Sequence, residues 1–350
     1  MENKKLKVGI AGYGTVGKLR HSFVDKHPNL ELVAVCDKSF TKNSPKLENE
    51  INVFSNYQEL LKERLDILFV CLTNDIQPDV TIAALELGIH VFCEKPPGRN
   101  VEDIERVIAC ENLHPELKLM YGFNHRYHES VQDAIKIVES GKLGDIISIR
   151  GVYGKSNLIT FNQPDWRTKR EIAGGGVLLD QGIHMVDLIR LFAGNFTEVH
   201  SFISNGHWKH DVEDNAYAIM RNESGVIAML HSSATQWRHR FNIEINFSKG
   251  SLILGGFLSG TKSYGSETIT VINADPLNDK GDPREESIRY NKDPSWEREI
   301  AAFVDAILFN KKVLSGSSTD ALETMRMVYN IYFKDASWSS KYNITNPYYK

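Results

Sequence analysis

Three ionisable side chains recur at helical spacing within an apolar segment, residues 177–192. Asp180, His184 and Asp187 occupy positions i, i+4 and i+7, which share one face of a regular α-helix. Most other residues of the segment are Leu, Ile, Val, Met and Phe, so this helix is predicted to be buried. Ionisable groups on a buried helix must be paired or functional. The stripe of Asp180, His184 and Asp187 is therefore a candidate functional site.

Two other interpretations of this stripe stay open. His184 is consistent with a histidine whose hydrogen bonds are satisfied inside a core, and the same residue with two carboxylates is consistent with a metal site. No further His or Cys stands at supporting spacing, so we expect no metal. Gly174, Gly175 and Gly176, directly before the helix, indicate a close approach of backbone to a ligand.

A lysine stands at the end of a predicted strand, in the run Glu94-Lys95-Pro96. The carboxyl ends of parallel strands are where doubly wound sheets bind their ligands. Burial can depress the pKa of a lysine there, and its ammonium can bond a substrate hydroxyl. Lys95 is therefore a candidate for binding a substrate hydroxyl, and the alternative is an ordinary surface lysine at a strand end.

A glycine-rich turn near the N-terminus has the pattern G-x-G-x-x-G. Its residues are Gly12, Tyr13, Gly14, Thr15, Val16 and Gly17. The turn follows a predicted strand at residues 7–11 and opens a helix, which is the context in which this pattern binds a dinucleotide. Gly12 permits the tight turn, Gly14 lets the backbone approach the pyrophosphate, and Gly17 lets helix and strand pack closely. The helix N-terminus then offers N–H groups to the phosphates. The alternative is a purely structural turn.

An acidic residue completes this fingerprint. Asp37 ends the second predicted strand, 20 residues after Gly17, where the dinucleotide fold places its ribose-binding carboxylate. A carboxylate accepts hydrogen bonds from the ribose hydroxyls and repels a 2′-phosphate, which favours NAD. Lys38 and Ser39 follow directly and could hold that phosphate, so tolerance of NADP stays open.

The elements that must position these residues change character near Asn124. Residues 1–124 alternate apolar strands with helices, which predicts an α/β Rossmann domain with a doubly wound parallel sheet that binds NAD(P). Residues 125–350 carry seven β-like segments and fewer helices, which predicts an α+β domain with a large, mostly antiparallel open sheet for substrate binding and oligomerisation. Residues 273–293, rich in Asp, Pro, Asn and Gly, predict a surface loop.

Composition narrows the class of protein. The 350 residues carry 41 Lys and Arg against 45 Asp and Glu, a formal net charge of −4, which argues against a general nucleic-acid or membrane-surface binder. The four cysteines match no zinc spacing and no C-x-x-C pair, which predicts reduced core thiols in a cytoplasmic protein. The N-terminus lacks a signal-peptide core, and no stretch approaches the roughly 18 apolar residues of a membrane span.

The motifs together resemble one family. G-Y-G-T-V-G near the N-terminus, E-K-P at residues 94–96, F-N-H-R at residues 123–126 and G-G-G-x-x-x-D-x-G-x-H-x-x-D at residues 174–187 look like the Gfo/Idh/MocA oxidoreductases, named for glucose–fructose oxidoreductase and inositol dehydrogenase. The match runs from residue 6 to the C-terminus, in the right order. The resemblance implies that Lys95, Asp180 and His184 are the catalytic trio, and that Asn124 and Arg126 border the cofactor site.

The same resemblance places Thr73, Asn74 and Glu94 at the cofactor site. The loop at residues 73–77 departs from the family pattern, because Gln77 stands where family members often carry His. The departure at Gln77 puts the contacts to the nicotinamide ribose in doubt and leaves the chemistry unchanged. The reaction that the resemblance implies is reversible hydride transfer between a secondary alcohol carbon and C4 of nicotinamide, with His184 as the base that Asp180 orients and Lys95 stabilising developing alkoxide charge.

Two runs that combine an aromatic with basic residues begin at Trp166-Arg167 and at Trp237. They suit stacking on a sugar face plus recognition of an anionic group, although solvated basic faces or a subunit interface would have the same composition. Tyr153, Lys155 and Asn157, at the end of one strand, are weaker candidates for the same pocket. The expected substrate-binding set is Lys95, Tyr153, Lys155, Trp166, Arg167, Asp180, His184 and Trp237.

Three functions remain in consideration. The first is an NAD(P)-dependent dehydrogenase or reductase acting on a sugar, cyclitol or nucleotide-linked sugar. The second is a glycosidase that uses NAD for transient oxidation, and the third is a dinucleotide-sensing regulator without catalysis, against which the intact trio counts. We expect a homodimer or homotetramer built through the open sheet, because monomers rarely leave such an apolar face uncovered.

Overall fold

The computed structural model describes residues 5–41, 47, 50–158, 165–259, 262–275 and 277–348.

The first sheet is parallel throughout. Six strands form this sheet: β1 (Leu6–Ala11), β2 (Leu30–Cys36), β3 (Asn52–Phe54), β4 (Ile67–Val70), β5 (His90–Cys93) and β6 (Leu119–Tyr121). Their order is β3-β2-β1-β4-β5-β6, and every neighbouring pair is parallel. The predicted doubly wound sheet is confirmed. β3 is three residues long and not buried, so no apolar run in the sequence marks it.

The second sheet has eight strands. They are β7 (Ile146–Gly154), β8 (Glu198–Ser204), β9 (Asn215–Arg221), β10 (Ile227–Ser233), β11 (Arg240–Phe247), β12 (Gly250–Gly255), β13 (Thr268–Asn273) and β14 (Glu285–Arg289). Their order is β14-β13-β12-β11-β7-β10-β9-β8, with β7 and β10 parallel and all other neighbours antiparallel. Buried and less buried residues alternate along β9 and β11, as expected when one face packs on a core. The predicted mostly antiparallel sheet is confirmed.

Helices connect and cover the strands. The α-helices are α1 (Thr15–Val24), α2 (Tyr57–Leu60), α3 (Gln77–Glu86), α4 (Val101–Glu111), α5 (Glu129–Glu139), α6 (Arg170–Ala173), α7 (Ile183–Ala193), α8 (Ser295–Leu308), α9 (Ser318–Lys334) and α10 (Ala336–Tyr342). Local caps explain where some begin: the Asn100 side chain accepts the N–H of Asp103 at 2.9 Å, which satisfies a free donor at the start of α4.

The prediction of a surface loop at residues 273–293 is partly wrong. It contains β14, which pairs antiparallel with β13. All five residues of β14 are exposed and three of them are charged, so its sequence shows no alternation of apolar side chains. An edge strand of this kind is held by backbone hydrogen bonds, which side-chain patterns do not reveal.

The chain divides into two compact units, and the second is not the continuous stretch 125–350 that the sequence predicts. The first unit contains Met1–Asn124 and Trp296–Leu322, and the second contains His125–Ser295 and Glu323–Lys350. The reason lies in α8, whose buried Phe303 ring packs edge-on against Phe69 and Phe92 of the first sheet. An amphipathic helix shows in its sequence that one face is buried, but not which sheet covers that face.

The segment predicted as one regular helix at residues 177–192 is interrupted. A π-helical turn, Leu178–Gly182, precedes α7. The wider turn changes the angular spacing between Asp180 and the residues after it, so the regular i, i+4, i+7 stripe does not apply. Within the described part of the chain, Arg170–Ala193 is the one helical segment long and apolar enough to cross a membrane, and 89% of its apolar window is buried inside the protein.

Candidate active-site residues in the two units

The glycine loop of the first unit has two glycines that packing requires and one that faces open space. Gly12 has φ +91°, and a Cβ there would lie 2.2 Å from the carbonyl oxygen of Cys71. A Cβ at Gly17 would lie 2.0 Å from the carbonyl oxygen of Gly12. At Gly14, the N-cap of α1, no atom of the described residues lies within 4 Å of the corresponding position. The loop therefore leaves room beside the first N–H groups of α1, as a dinucleotide phosphate needs.

Asp37 joins this loop to the end of β2. Its Oδ2 accepts the N–H of Tyr13 at 2.9 Å, and its Oδ1 accepts the N–H and the O–H of Ser39 at 2.9 and 2.7 Å. A carboxylate has about four acceptor sites, so these bonds fix its direction and leave capacity for ribose hydroxyls. Lys38 is exposed.

The loop after β4 makes hydrogen bonds mostly within itself. The Thr73 hydroxyl donates to Oδ1 of Asp75 at 2.6 Å, and Asn74 is buried. Gln77 donates to the carbonyl oxygen of Leu72 at 3.1 Å and lies 3.1 Å from the thiol of Cys93, with 1% of its surface exposed. Gln77, at the departure from the family pattern, therefore packs between the ends of β4 and β5.

Lys95 follows β5 by two residues and is half-buried. The Lys95–Pro96 peptide bond is cis. Glu94, directly before it, is buried, and its carboxylate accepts the Nε–H of Arg20 at 2.7 Å. The sequence reasoning assigned Glu94 to the cofactor and did not find Arg20.

Arg126 and Asp187 form a buried ion pair in the second unit. Nε and Nη2 of Arg126 donate to Oδ2 and Oδ1 of Asp187 at 2.7 and 2.6 Å. This two-point contact is among the strongest that an arginine makes. This ion pair explains why Asp187 is buried without requiring that it take part in proton transfer. It likewise explains why Arg126 is buried without requiring a contact with the cofactor. Arg126 lies on a short 3₁₀ helix, Asn124–Tyr127, whose first residue, Asn124, is also buried.

Asp180 is the centre of a charged cluster. Its Oδ2 accepts from Nζ of Lys155 at 3.0 Å, and its Oδ1 accepts from Nε of Arg167 at 3.2 Å. The guanidinium of Arg167 lies 4.4 Å from the ring centroid of Trp166. Four members of the predicted substrate-binding set are thus brought together. They come from the π-helical turn, the segment after β7 and a short 3₁₀ helix.

His184 stacks on a second histidine. The rings of His184 and His125 are parallel to within 16°, with centroids 3.8 Å apart, and both residues are buried. His125 in turn hydrogen-bonds the Tyr153 hydroxyl at 3.2 Å. Burial raises the pKa of Tyr153 well above its usual value, so its phenol stays neutral. The sequence reasoning missed His125, although it stands inside the F-N-H-R motif.

Trp237 is not part of the Asp180 cluster. It is 65% exposed and packs on His207 and Trp208, with ring centroids 5.3 and 6.4 Å apart. Its loop is nevertheless tied to the cluster, because the N–H of Gln236 donates to the carbonyl oxygen of Lys155 at 2.9 Å.

The glycines before the π-helical turn accommodate protein rather than a ligand, which corrects the sequence expectation for Gly175 and Gly176. A Cβ at Gly176 would lie 2.1 Å from the carbonyl oxygen of Glu213, and one at Gly175 would lie 2.4 Å from the Tyr332 hydroxyl. The fully buried Glu213 carboxylate accepts the N–H groups of Gly176 and Leu178 at 2.7 and 2.9 Å. Burial raises the pKa of Glu213, and hydrogen bonds from the Tyr332 hydroxyl and the Gly176 N–H oppose the rise. Glu213, which the sequence did not indicate, anchors the turn that carries Asp180.

Comparisons with known proteins agree with these motifs. A model described as "Oxidoreductase family, NAD-binding Rossmann fold" matches residues 6–123, and one for the Gfo/Idh/MocA C-terminal domain matches residues 131–253. D-glucoside 3-dehydrogenase of Escherichia coli strain K12 is 32% identical over 256 residues, which cover 67% of this chain and 71% of that protein. The chain belongs to the Gfo/Idh/MocA oxidoreductase family.

Further relatives fit the same family. 1,5-Anhydro-D-fructose reductase of Ensifer adhaerens is 31% identical over 253 residues, 69% of each chain. The solved structure of levoglucosan dehydrogenase in complex with NADH superposes with a TM-score of 0.82 over 96% of this chain and 98% of that one, at 21% identity. This Gfo/Idh/MocA protein is accordingly an oxidoreductase with an NAD-binding Rossmann domain. The described residues contain no group of three His, Cys, Asp or Glu that could hold a metal ion.

Proposed function

We propose that this Gfo/Idh/MocA protein is an NAD-dependent dehydrogenase or reductase acting on a secondary hydroxyl of a sugar, cyclitol or nucleotide-linked sugar. The observation that carries the proposal is the Asp180 cluster, in which a carboxylate and two cations stand beside an aromatic ring in a protein with an NAD-binding domain. Such convergent donors and acceptors beside an aromatic surface suit a polyhydroxylated ring. Relatives named for a glucoside and for anhydrofructose support the substrate class.

The first unit supplies the residues that would hold the cofactor. The N–H groups at the start of α1, beside the open space at Gly14, would bind the pyrophosphate, and Asp37 would bind the adenosine ribose. When bound, NAD supplies a hydride acceptor at C4 of its nicotinamide. We propose NAD rather than NADP because the Asp37 carboxylate would repel a 2′-phosphate.

The protein's own task is to manage the proton and the developing charge. His184 would take the proton of the substrate hydroxyl, since imidazole is the side chain whose pKa lies nearest to neutrality. Asp180 would hold Lys155 and Arg167 toward substrate hydroxyls. Lys95 would stabilise the alkoxide character of the reacting oxygen.

Replacing His184 tests the mechanism. General acid–base assistance is worth about 10²–10⁴-fold, so His184→Ala should lower kcat by that order and leave the Kd for NAD nearly constant. The assay is NADH absorbance with a panel of sugars, cyclitols and nucleotide sugars, with thermal stability measured on the same preparations.

His128→Ala is the matched control. His128 is also buried and pairs with Glu267 at 2.9 Å, so its loss should lower the melting temperature and leave turnover per folded molecule unchanged. If His184 were only a core histidine, His184→Ala would behave like this control. Full activity in a folded, NAD-binding His184→Ala protein would refute the mechanism.

We also propose a homodimer or homotetramer in the cytoplasm. The oligomer is supported by exposed apolar side chains on the outer face of the second sheet, among them Phe202 on β8 and Ile219 on β9, which are 79% and 54% exposed. The cytoplasm is supported by the four cysteines, all of which are free thiols.

A further inference from the structure

Arg20, on α1, is fully buried in a cage of two carboxylates and two aromatic rings. Its Nε donates to Oε1 of Glu94 at 2.7 Å, and its Nη2 donates to Oε2 of Glu299 at 2.8 Å. Its guanidinium carbon lies 4.3 Å from the ring centroids of both Phe92 and Trp296. The guanidinium is therefore fixed by hydrogen bonds to two carboxyl groups and by contacts with two aromatic rings.

The partners of Arg20 belong to two regions that are distant in sequence, the end of β5 and α8. Glu94 follows β5, and Glu299, on α8, lies 279 residues from Arg20. Lysine could not replace this arginine, because only a planar guanidinium both bridges two carboxylates and stacks on rings. Packing around the bridge is tight: a Cβ at Gly122 would lie 2.9 Å from Oε2 of Glu94 and 3.2 Å from Nη2 of Arg20.

Stability alone is a weak explanation for such a cage. Removing charges from water costs free energy that their mutual attraction often does not recover, and apolar replacements of similar volume are frequently neutral or stabilising. The location of the cage offers another explanation. Glu94 is the residue directly before Lys95, so whatever fixes the Glu94 side chain also fixes the backbone from which Lys95 projects.

We propose that Arg20, clamped by Glu299, is a positioning residue for Lys95. It holds the strand end in place and engages the Glu94 carboxylate, which would otherwise be available to pair with the neighbouring Lys95 ammonium. The effect on turnover rests on the proposed function of Lys95. The effect on the Lys95 amine itself does not.

The experiment compares Arg20→Met and Arg20→Lys with the wild type. Misplacing a reacting group by about 1 Å can cost about 10²-fold in rate, so Arg20→Met should lower kcat by one to two orders of magnitude with KM for NAD within about twofold. The pH midpoint for acetylation of Lys95 by acetic anhydride, quantified on its peptide by mass spectrometry, should rise, because an unpaired Glu94 favours the ammonium form. Arg20→Lys keeps the positive charge but loses the planar guanidinium. Its Lys95 midpoint should therefore lie closer to the wild-type value than its kcat does.

Val107→Ala is the matched control, since Val107 is fully buried on α4 in the same unit and is no part of the cage. It should lower the melting temperature and leave kcat and the Lys95 midpoint unchanged. Wild-type kcat and an unshifted midpoint in folded Arg20 variants would overturn the proposal; if Arg20→Met fails to fold, Arg20→Lys decides. If Lys95→Ala retained full turnover, the proposed role of Lys95 would fail, whereas the acetylation measurement, which needs no activity, would still test Arg20.

Discussion

At the scale of single residues, the side chains expected to do chemistry are held by partners that leave them little freedom. Asp37 is fixed by the N–H groups of Tyr13 and Ser39, and Asp180 by Lys155 and Arg167. Preorganisation of this kind avoids the entropy of ordering a side chain when a ligand binds. The consequence is that substitutions at these residues should affect binding or rate more than folding.

Asp37→Ser should weaken NAD binding and relax the preference for NAD over NADP. Loss of hydrogen bonds to a charged group is worth about 1.5–3 kcal/mol, so the KM for NAD should rise by about tenfold or more. Parallel titrations with NAD and NADP check this. Asp66→Ser is the control, because Asp66 also accepts a backbone N–H, from Lys7 at 2.7 Å, but stands at the opposite end of the sheet's strands. An unchanged ratio of the two KM values in Asp37→Ser would show that Asp37 does not read the ribose.

At the scale of elements, the βα turn after β1 combines two kinds of glycine. Gly17 is required by the close packing of α1 on the turn, whereas a Cβ at Gly14 would have no atom within 4 Å in the part of the chain that the structure describes. The two positions separate the folding role of the motif from its binding role. The same distinction holds in the second unit, where Gly175 and Gly176 admit Tyr332 and Glu213.

Gly14→Ala and Gly17→Ala should therefore fail in different ways. Overpacking costs about 1–3 kcal/mol, so Gly17→Ala should lower the free energy of unfolding by that amount. Gly14→Ala should leave the melting temperature nearly unchanged, because its φ of −75° suits alanine, and weaken NAD binding by about tenfold or more. Denaturant unfolding and NADH fluorescence titration measure the two effects. A Gly14→Ala protein with wild-type NAD affinity would place the phosphates elsewhere.

At the scale of the whole molecule, charge burial and surface composition set stability and assembly. Glu299 is fully buried, and burial raises its pKa to about 8 despite the neighbouring Arg20. Among the described residues its Oε1 has no hydrogen-bond partner, which makes that oxygen a natural place for the proton. The outer face of the second sheet, by contrast, leaves large apolar side chains in water.

The stability of the protein should depend on pH through Glu299. Its folded-state pKa lies above the usual value of 4.5, so the folded state binds this proton more tightly than the unfolded state. The resulting stabilisation is complete below about pH 4.5 and is lost as the pH rises toward about 8. Glu299→Gln removes this dependence, so its melting temperature relative to that of the wild type should increase between about pH 5 and about pH 8.5, which span most of that interval. A constant difference across this range would mean that Glu299 titrates normally.

The outer sheet face should mediate self-association. Phe202 on β8 pairs with Tyr217 on β9, and Ile219 pairs with Met229 on β10, so the exposed apolar side chains lie on adjacent strands. A double variant, Phe202→Asp with Ile219→Asp, should convert the oligomer to a monomer in light scattering. Leu314→Asp is the control, because Leu314 is 87% exposed and lies outside this sheet. A wild-type protein that is monomeric at micromolar concentration would contradict the proposed assembly.

The sequence by itself determined features that neighbouring residues encode. The alternation of apolar strands and helices predicted the first sheet, and the spacing of Gly12, Gly14, Gly17 and Asp37 predicted the turn that the structure shows. These features depend on local conformation and on periodic burial, and both can be recognised within about 20 residues of chain.

Only the tertiary structure decided which buried groups meet. It pairs Arg20 with Glu299 across 279 residues, anchors the Asp180 turn on Glu213, and returns α8 to the first unit. Sequence shows that a charged residue stands in an apolar setting, but its partner is chosen by how separate elements pack. For the same reason, Asp180, His184 and Asp187 lie in three different environments rather than on one stripe. Asp180 belongs to a π-helical turn, His184 stacks on His125, and Asp187 pairs with Arg126.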